Sequence, residues 1–159
     1  MDYIALKRLL TQLFQADAEL FSLHELAELI LSQPLLGSTV KTDGRESDPY
    51  AFLSVINMNV HQVSTVNLIL LITMLKYEIR QNHPSIKALA AYALAKSASS
   101  PALHTALENL LAQTSTSHIG FVFSERLVNM PVQVIPPMYR MLSNEIQWAN
   151  DEASAFYIS

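Results

Sequence analysis

Seven consecutive residues, Tyr50-Ala51-Phe52-Leu53-Ser54-Val55-Ile56, form a nearly unbroken apolar run. Successive strand side chains point to opposite faces. A strand that is apolar at both parities therefore needs cover on both sides, as in a sheet packed between layers. Leu36-Gly37-Ser38-Thr39-Val40 reads as its partner strand, and the polar stretch from Lys41 to Asp48, with Gly44 inside it, reads as the hairpin connection.

Helices supply the cover. Ile4, Leu6, Leu9, Leu10, Leu13 and Phe14 fall on one helical face, with Asp2 placed to accept from the free amides of the first turn. Ser22 and Glu25 have capping-box spacing ahead of Leu23, Leu26, Ala27, Leu29 and Ile30, and Pro34 closes that helix. Pro84 opens a helix bearing Ile86, Leu89, Ala90, Ala93 and Leu94. A break at 97–100 leads through Pro101 into another, with Leu103, Leu107, Leu110 and Leu111 facing inward. Ile119 to Phe123 reads as a strand. Ser124-Glu125-Arg126 reads as a turn, with Ser124 capping a short helix. Pro136-Pro137 starts a helix carrying Met138, Met141, Leu142 and Trp148 inward, and Ala155 to Ile158 reads as a last strand. The expected fold is α/β (α+β), a single mixed sheet covered by helices.

The 159 residues are 50% hydrophobic and 15% charged, with a mean hydropathy of +0.22, which excludes a disordered chain. One domain is the natural expectation, burying about 68–70% of its unfolded surface. Net charge is -4, and Lys7-Arg8 is the only adjacent basic pair, which disfavours direct nucleic-acid binding. A mildly acidic surface suits a basic protein partner. Cysteine is absent, so disulfides and thiolate chemistry are excluded. The N-terminal residues lack the basic start and continuous apolar run of a signal peptide, and the chain reads as intracellular.

No catalytic or cofactor site is expected. No two of His24, His61, His83, His104 and His118 share an i, i+4 helical spacing with a carboxylate completing a metal set. Ser124 has no G-x-S-x-G elbow around it. Gly37, Gly44 and Gly120 are the only glycines and lie far apart, so no glycine-rich loop can bring backbone amides to a phosphate. Glu125 and Arg126 read as pairing locally or with the preceding hairpin. Met130, Met138 and Met141 with Tyr139 read as helix core, or else as an adaptable contact surface.

Three features together resemble the BCCIP family: GSTVK, SDPYAFLSVIN, and SERLVNMP within Gly120 to Leu142. The likeness extends to Met1–Gln15, Pro84–Lys96 and His118–Trp148. It implies a fold similar to the GNAT acetyltransferases without their cofactor loop, and a nuclear, non-enzymatic chaperone or adaptor that shuttles to the cytoplasm. Its implied partners are a basic ribosomal protein of the large subunit and export cargo such as a lipid kinase, with no cofactor and no membrane insertion. A degenerate acyltransferase is the alternative. The expected client contacts are the acidic loop residues Asp43, Glu46 and Asp48, together with Glu125, Arg126 and Asn129.

Against this family, residues 1–159 read as a single domain lacking an acidic N-terminal tail and a further strand at its end. Val63 to Gln81 matches nothing in the pattern. It is apolar from Val66 to Leu75, too short for the ~20 residues of a membrane-spanning helix. Val63-Ser64 can be encoded by an intron donor sequence and Gln81 by an acceptor. This stretch is expected to be an atypical apolar insert that derives from a retained intron, the alternative being a genuine insertion peculiar to this chain.

Overall fold

The computed structural model describes residues 3–33, 36–58, 83–112 and 119–158. The apolar stretch 63–81 lies outside them, as do Asp2 and Pro34. The chain divides into two compact units, one of Met1–Glu19, Leu23–Val55 and Val122–Ser159, the other of Leu20–Ser22 and Ile56–Phe121.

The first unit begins with α1 (Tyr3–Phe14), which buries Ala5, Leu6, Leu9, Leu10 and Phe14. Ile4, expected on that face, is 68% exposed. Gln15 ends the helix with a φ of 49° and leads into a 3-10 turn over Gln15–Leu20. A left-handed residue at this point stops helical propagation. Helix α2 (Leu23–Leu31) buries Leu26, Ala27, Leu29 and Ile30. Strands β1 (Ser38–Val40) and β2 (Ala51–Asn57) form an antiparallel hairpin in which Ser38 faces Leu53, Thr39 faces Phe52 and Val40 faces Ala51.

The sheet has the order β1-β2-β3, with β3 spanning Gly120–Arg126. Leu127 N–H donates to Tyr50 O at 2.8 Å, and Met58 N–H donates to Ile119 O at 2.9 Å. The residue order reverses between these bonds, so β2 and β3 are antiparallel. The expected mixed sheet is thus corrected: among the described residues every pairing is antiparallel. Central β2 is buried at every position from Ala51 to Ile56, as its two-sided apolar texture requires.

One face of β2 contributes Ala51, Leu53 and Val55 to a core with Met130, Met138 and Leu142, edged by Leu36, Val40, Tyr50 and Val134. On the opposite face, α1 meets β3 through the Phe14 and Phe123 rings, 6.4 Å apart and edge to face. Two local expectations fail here. Ser124-Glu125-Arg126 is not a turn with a serine cap, because Leu127 still holds the ladder to Tyr50 and keeps these residues extended. After a 3-10 turn at Val132–Val134, α3 spans Ile135–Ile158, so the expected terminal strand is helical. Pro136 and Pro137 sit in its first turn, where amides go unpaired, and no later glycine or proline stops it. Glu145 on α3 accepts from Gly37 N at 2.9 Å and from Ser38 Oγ at 2.8 Å, tying the helix to the start of β1.

The second unit holds α4 (Pro84–Ser97) and α5 (Pro101–Leu111). His83 caps α4, its Nδ1 accepting from Ser85 N at 3.3 Å. His104 of α5 approaches the last turn of α4, with Nδ1 3.1 Å from Leu94 O and 2.9 Å from Ser97 Oγ. A carbonyl can only accept, so a bond to Leu94 O places a proton on Nδ1. Leu103 is exposed rather than inward, and α5 has no fully buried residue. Among the described residues, no helix is long and apolar enough to cross a membrane.

Candidate functional site

A small open cleft of about 170 Å³ lies in the first unit, lined by Ala5, Arg8, Leu9, Asp48, Pro49, Tyr50 and Leu127. Three segments build it. Helix α1 must turn Leu6, Leu9 and Leu10 inward, and this leaves Arg8 exposed beside them. The hairpin loop descends through exposed Asp48 into buried Pro49 as it enters β2. Leu127 follows β3, held by its bond to Tyr50 O.

The floor is apolar, with Ala5, Leu9 and Pro49 buried. The walls carry opposite charge: the Arg8 guanidinium on α1 and the Asp48 carboxylate on the loop. Among the described residues, neither side chain forms a hydrogen bond or ion pair. A guanidinium only donates and a carboxylate only accepts, so the two walls select complementary groups. Such a cleft is equipped for recognition: apolar contact below, directional polar contacts at the rim.

The structure separates the sequence-predicted contacts into two groups. Asp48 lines the cleft, Glu46 is exposed at the loop tip, and Asn129 is exposed in the turn after Leu127. Asp43 is exposed, but its Oδ2 accepts from Thr42 Oγ1 at 3.1 Å and from Tyr50 Oη at 3.4 Å, bracing the loop against a cleft residue. Within the same loop, Lys41 Nζ donates to Arg45 O at 2.6 Å, and Ser47 Oγ donates to Gly44 O at 2.8 Å. Gly44 has a φ of 94°, a left-handed conformation that glycine adopts without steric cost.

Glu125 and Arg126 are half-buried and engaged with their own chain. Glu125 Oε1 accepts from Gln12 Nε2 at 2.9 Å and from Arg126 N at 2.8 Å. Gln12 Nε2 also donates to Arg126 O at 2.9 Å. The Arg126 guanidinium donates to Met130 O at 2.6 Å and to Leu127 O at 3.4 Å, closing the turn that carries Asn129. These residues fix α1 and Leu127 in place and so shape the cleft from behind. The methionines divide as well. Met130 and Met138 are core, while Met141 is 52% exposed and Tyr139 is also exposed.

Sequence reasoning missed Arg8, Tyr50 and Gln12 as parts of this region. Arg8 belonged to the only adjacent basic pair, which was a usable signal of an exposed charge. Its position opposite Asp48 comes from tertiary structure. Among the described residues, no group of histidine and carboxylate side chains could hold a metal ion.

Comparison with known proteins identifies the chain's relatives. The BCCIP family model matches residues 1–71 and 69–159, two segments that meet inside the apolar stretch 63–81. Protein bcp1 of Aspergillus fumigatus is 45% identical over 159 residues, covering 100% of this chain and 48% of its own length. Protein bcp1 of Schizosaccharomyces pombe is 48% identical over 153 residues, covering 96% of this chain and 48% of its own. The crystal structure of BCP1 from Saccharomyces cerevisiae superposes with a TM-score of 0.62 at 31% identity, covering 94% of this chain and 53% of that one. The chain thus spans about half the length of the curated relatives it matches. On the family match, the identities and the shared fold together, the chain belongs to the BCCIP family.

Proposed function

We propose that this protein is a non-enzymatic chaperone or adaptor of the nucleus that binds a basic client, a ribosomal protein of the large subunit. In this reading it also supports nuclear export of the large ribosomal subunit and of protein cargo such as a lipid kinase. The carrying observation is the cleft between α1 and the hairpin loop, whose apolar floor lies beside a loop bearing Asp43, Glu46 and Asp48. A chaperone for a basic protein needs a surface that shields apolar groups while neutralising cationic ones. The net charge of -4 agrees with such a client.

The direct test is co-purification. Tagged protein recovered from nuclear extract is expected to bring down a large-subunit ribosomal protein in stoichiometric amount. A Glu46→Lys, Asp48→Lys chain is expected to recover much less of it. Consistent failure of the unaltered protein to retain any ribosomal protein would sink the reading.

A further inference from the structure

We propose that the outer edge of β3 pairs with the same edge of a second copy of this chain, antiparallel and centred on Val122. Strand β3 is the last in the order β1-β2-β3. Leu127 and Ile119 both bond to β2, so the odd-numbered residues between them share its ladder. Gly120, Val122 and Ser124 therefore turn their main-chain N–H and carbonyl groups outward. Among the described residues, those outward groups have no partner. The opposite edge is shorter: β1 has three residues, and Glu145 holds its start.

Self-complementarity selects the second copy. Edges that stay single in monomeric proteins carry a charge, lysine above all, or a proline. Gly120-Phe121-Val122-Phe123-Ser124 carries neither, so an identical strand meets no repulsion along it. The open groups are also symmetric about Val122. Setting Val122 opposite its own counterpart sets Gly120 opposite Ser124 and uses every outward group of the run. Arg126, whose N–H and carbonyl are already bonded to Glu125 and Gln12, then falls outside the paired stretch. The same register sets Phe121 opposite Phe123 of the other copy, an aromatic cross-strand pair on the face where Phe123 meets Phe14. On the other face Val122, 44% exposed, gains its counterpart as cover. An unrelated strand fills the same groups but gains nothing from the two-fold match. So short a strand pair is smaller than a standard interface, and the dimer is weak and concentration-dependent.

Sedimentation equilibrium of the full chain, at concentrations up to roughly 1 mM, is expected to show a reversible monomer–dimer equilibrium. Val122→Pro is expected to abolish it. The Val122 N–H points away from β2, so its loss spares the β2–β3 ladder, and proline is tolerated at such an edge position. Val122→Thr keeps the main chain and the side-chain shape and is expected to associate as the unaltered chain does. Val122→Lys sets two ammonium groups opposite each other at the two-fold axis and is expected to raise the dimer Kd by roughly tenfold. It keeps the test open if proline disturbs the strand. A chain that stays monomeric throughout, with or without capture of an added peptide of alternating threonine and valine, would overturn the proposal. So would a dimer indifferent to both Val122→Pro and Val122→Lys.

Discussion

The Glu125 carboxylate makes two bonds at once, to Gln12 of α1 and to the main chain of Arg126. Bonds to a charged acceptor in a half-buried position contribute more than neutral surface bonds, and removing the acceptor leaves the Arg126 N–H and one of the two Gln12 amide hydrogens without it, the other still bonding Arg126 O. Glu125→Ala is therefore expected to lower stability by about 1–3 kcal/mol, measured by urea unfolding. A loss within ~0.5 kcal/mol, the range of an ordinary surface substitution, would show that the contact holds nothing together. Gly37 offers a second case. Its φ is 132°, and an added Cβ would lie 3.2 Å from Ser54 Oγ. Gly37→Ala is expected to destabilise the hairpin by more than ~1 kcal/mol, visible as a lower thermal midpoint.

Among the elements, α3 shows how far periodicity can be trusted. Met138 and Leu142 lie in the core, and Glu145, one turn on, reaches β1. Met141 and Trp148 are seven residues apart and share a stripe to one side of that face, with Trp148 65% exposed. The chain's single tryptophan is expected to emit at the long wavelength of solvated indole and to be quenched readily by acrylamide. Blue-shifted, shielded emission would contradict the placement of α3. Strand β2 and the starts at Pro84 and Pro101 were legible in the sequence, because apolar parity and proline act locally. The extent of β3 was not, since its last residues are held by Leu127 bonding to Tyr50, a contact distant in sequence. The end of α3 was misread for the opposite reason: aromatic and β-branched residues have strand propensity, but a helix already under way continues without a breaker. The junction from β3 to α3 contains no glycine after Gly120. Acetyl-CoA is therefore expected to give no saturable rise in the melting temperature, and a clear rise would revive an acyl-transfer activity.

For the molecule as a whole, the acidic residues of the hairpin loop were legible and their setting was not. Asp48 could be singled out because hairpin tips are solvated. Arg8, forty residues earlier, came to face it only through the packing of α1. If the client is held largely by charge, its affinity should fall as ionic strength rises and exposed charges are screened beyond about 10 Å at 0.1 M salt. Titrations across a salt series check this, and a salt-independent Kd would assign the binding to apolar contact instead. The Gln12–Glu125–Arg126 group bears on solubility too. Leu127 bonds inward to Tyr50, so the neighbouring Arg126 main chain points away from β2, where its N–H and carbonyl are already taken by Glu125 and Gln12. A stray strand zipping along the outer edge of β3 finds no open rung there. The side chains that seat α1 thus also act as a stop against edge-to-edge aggregation.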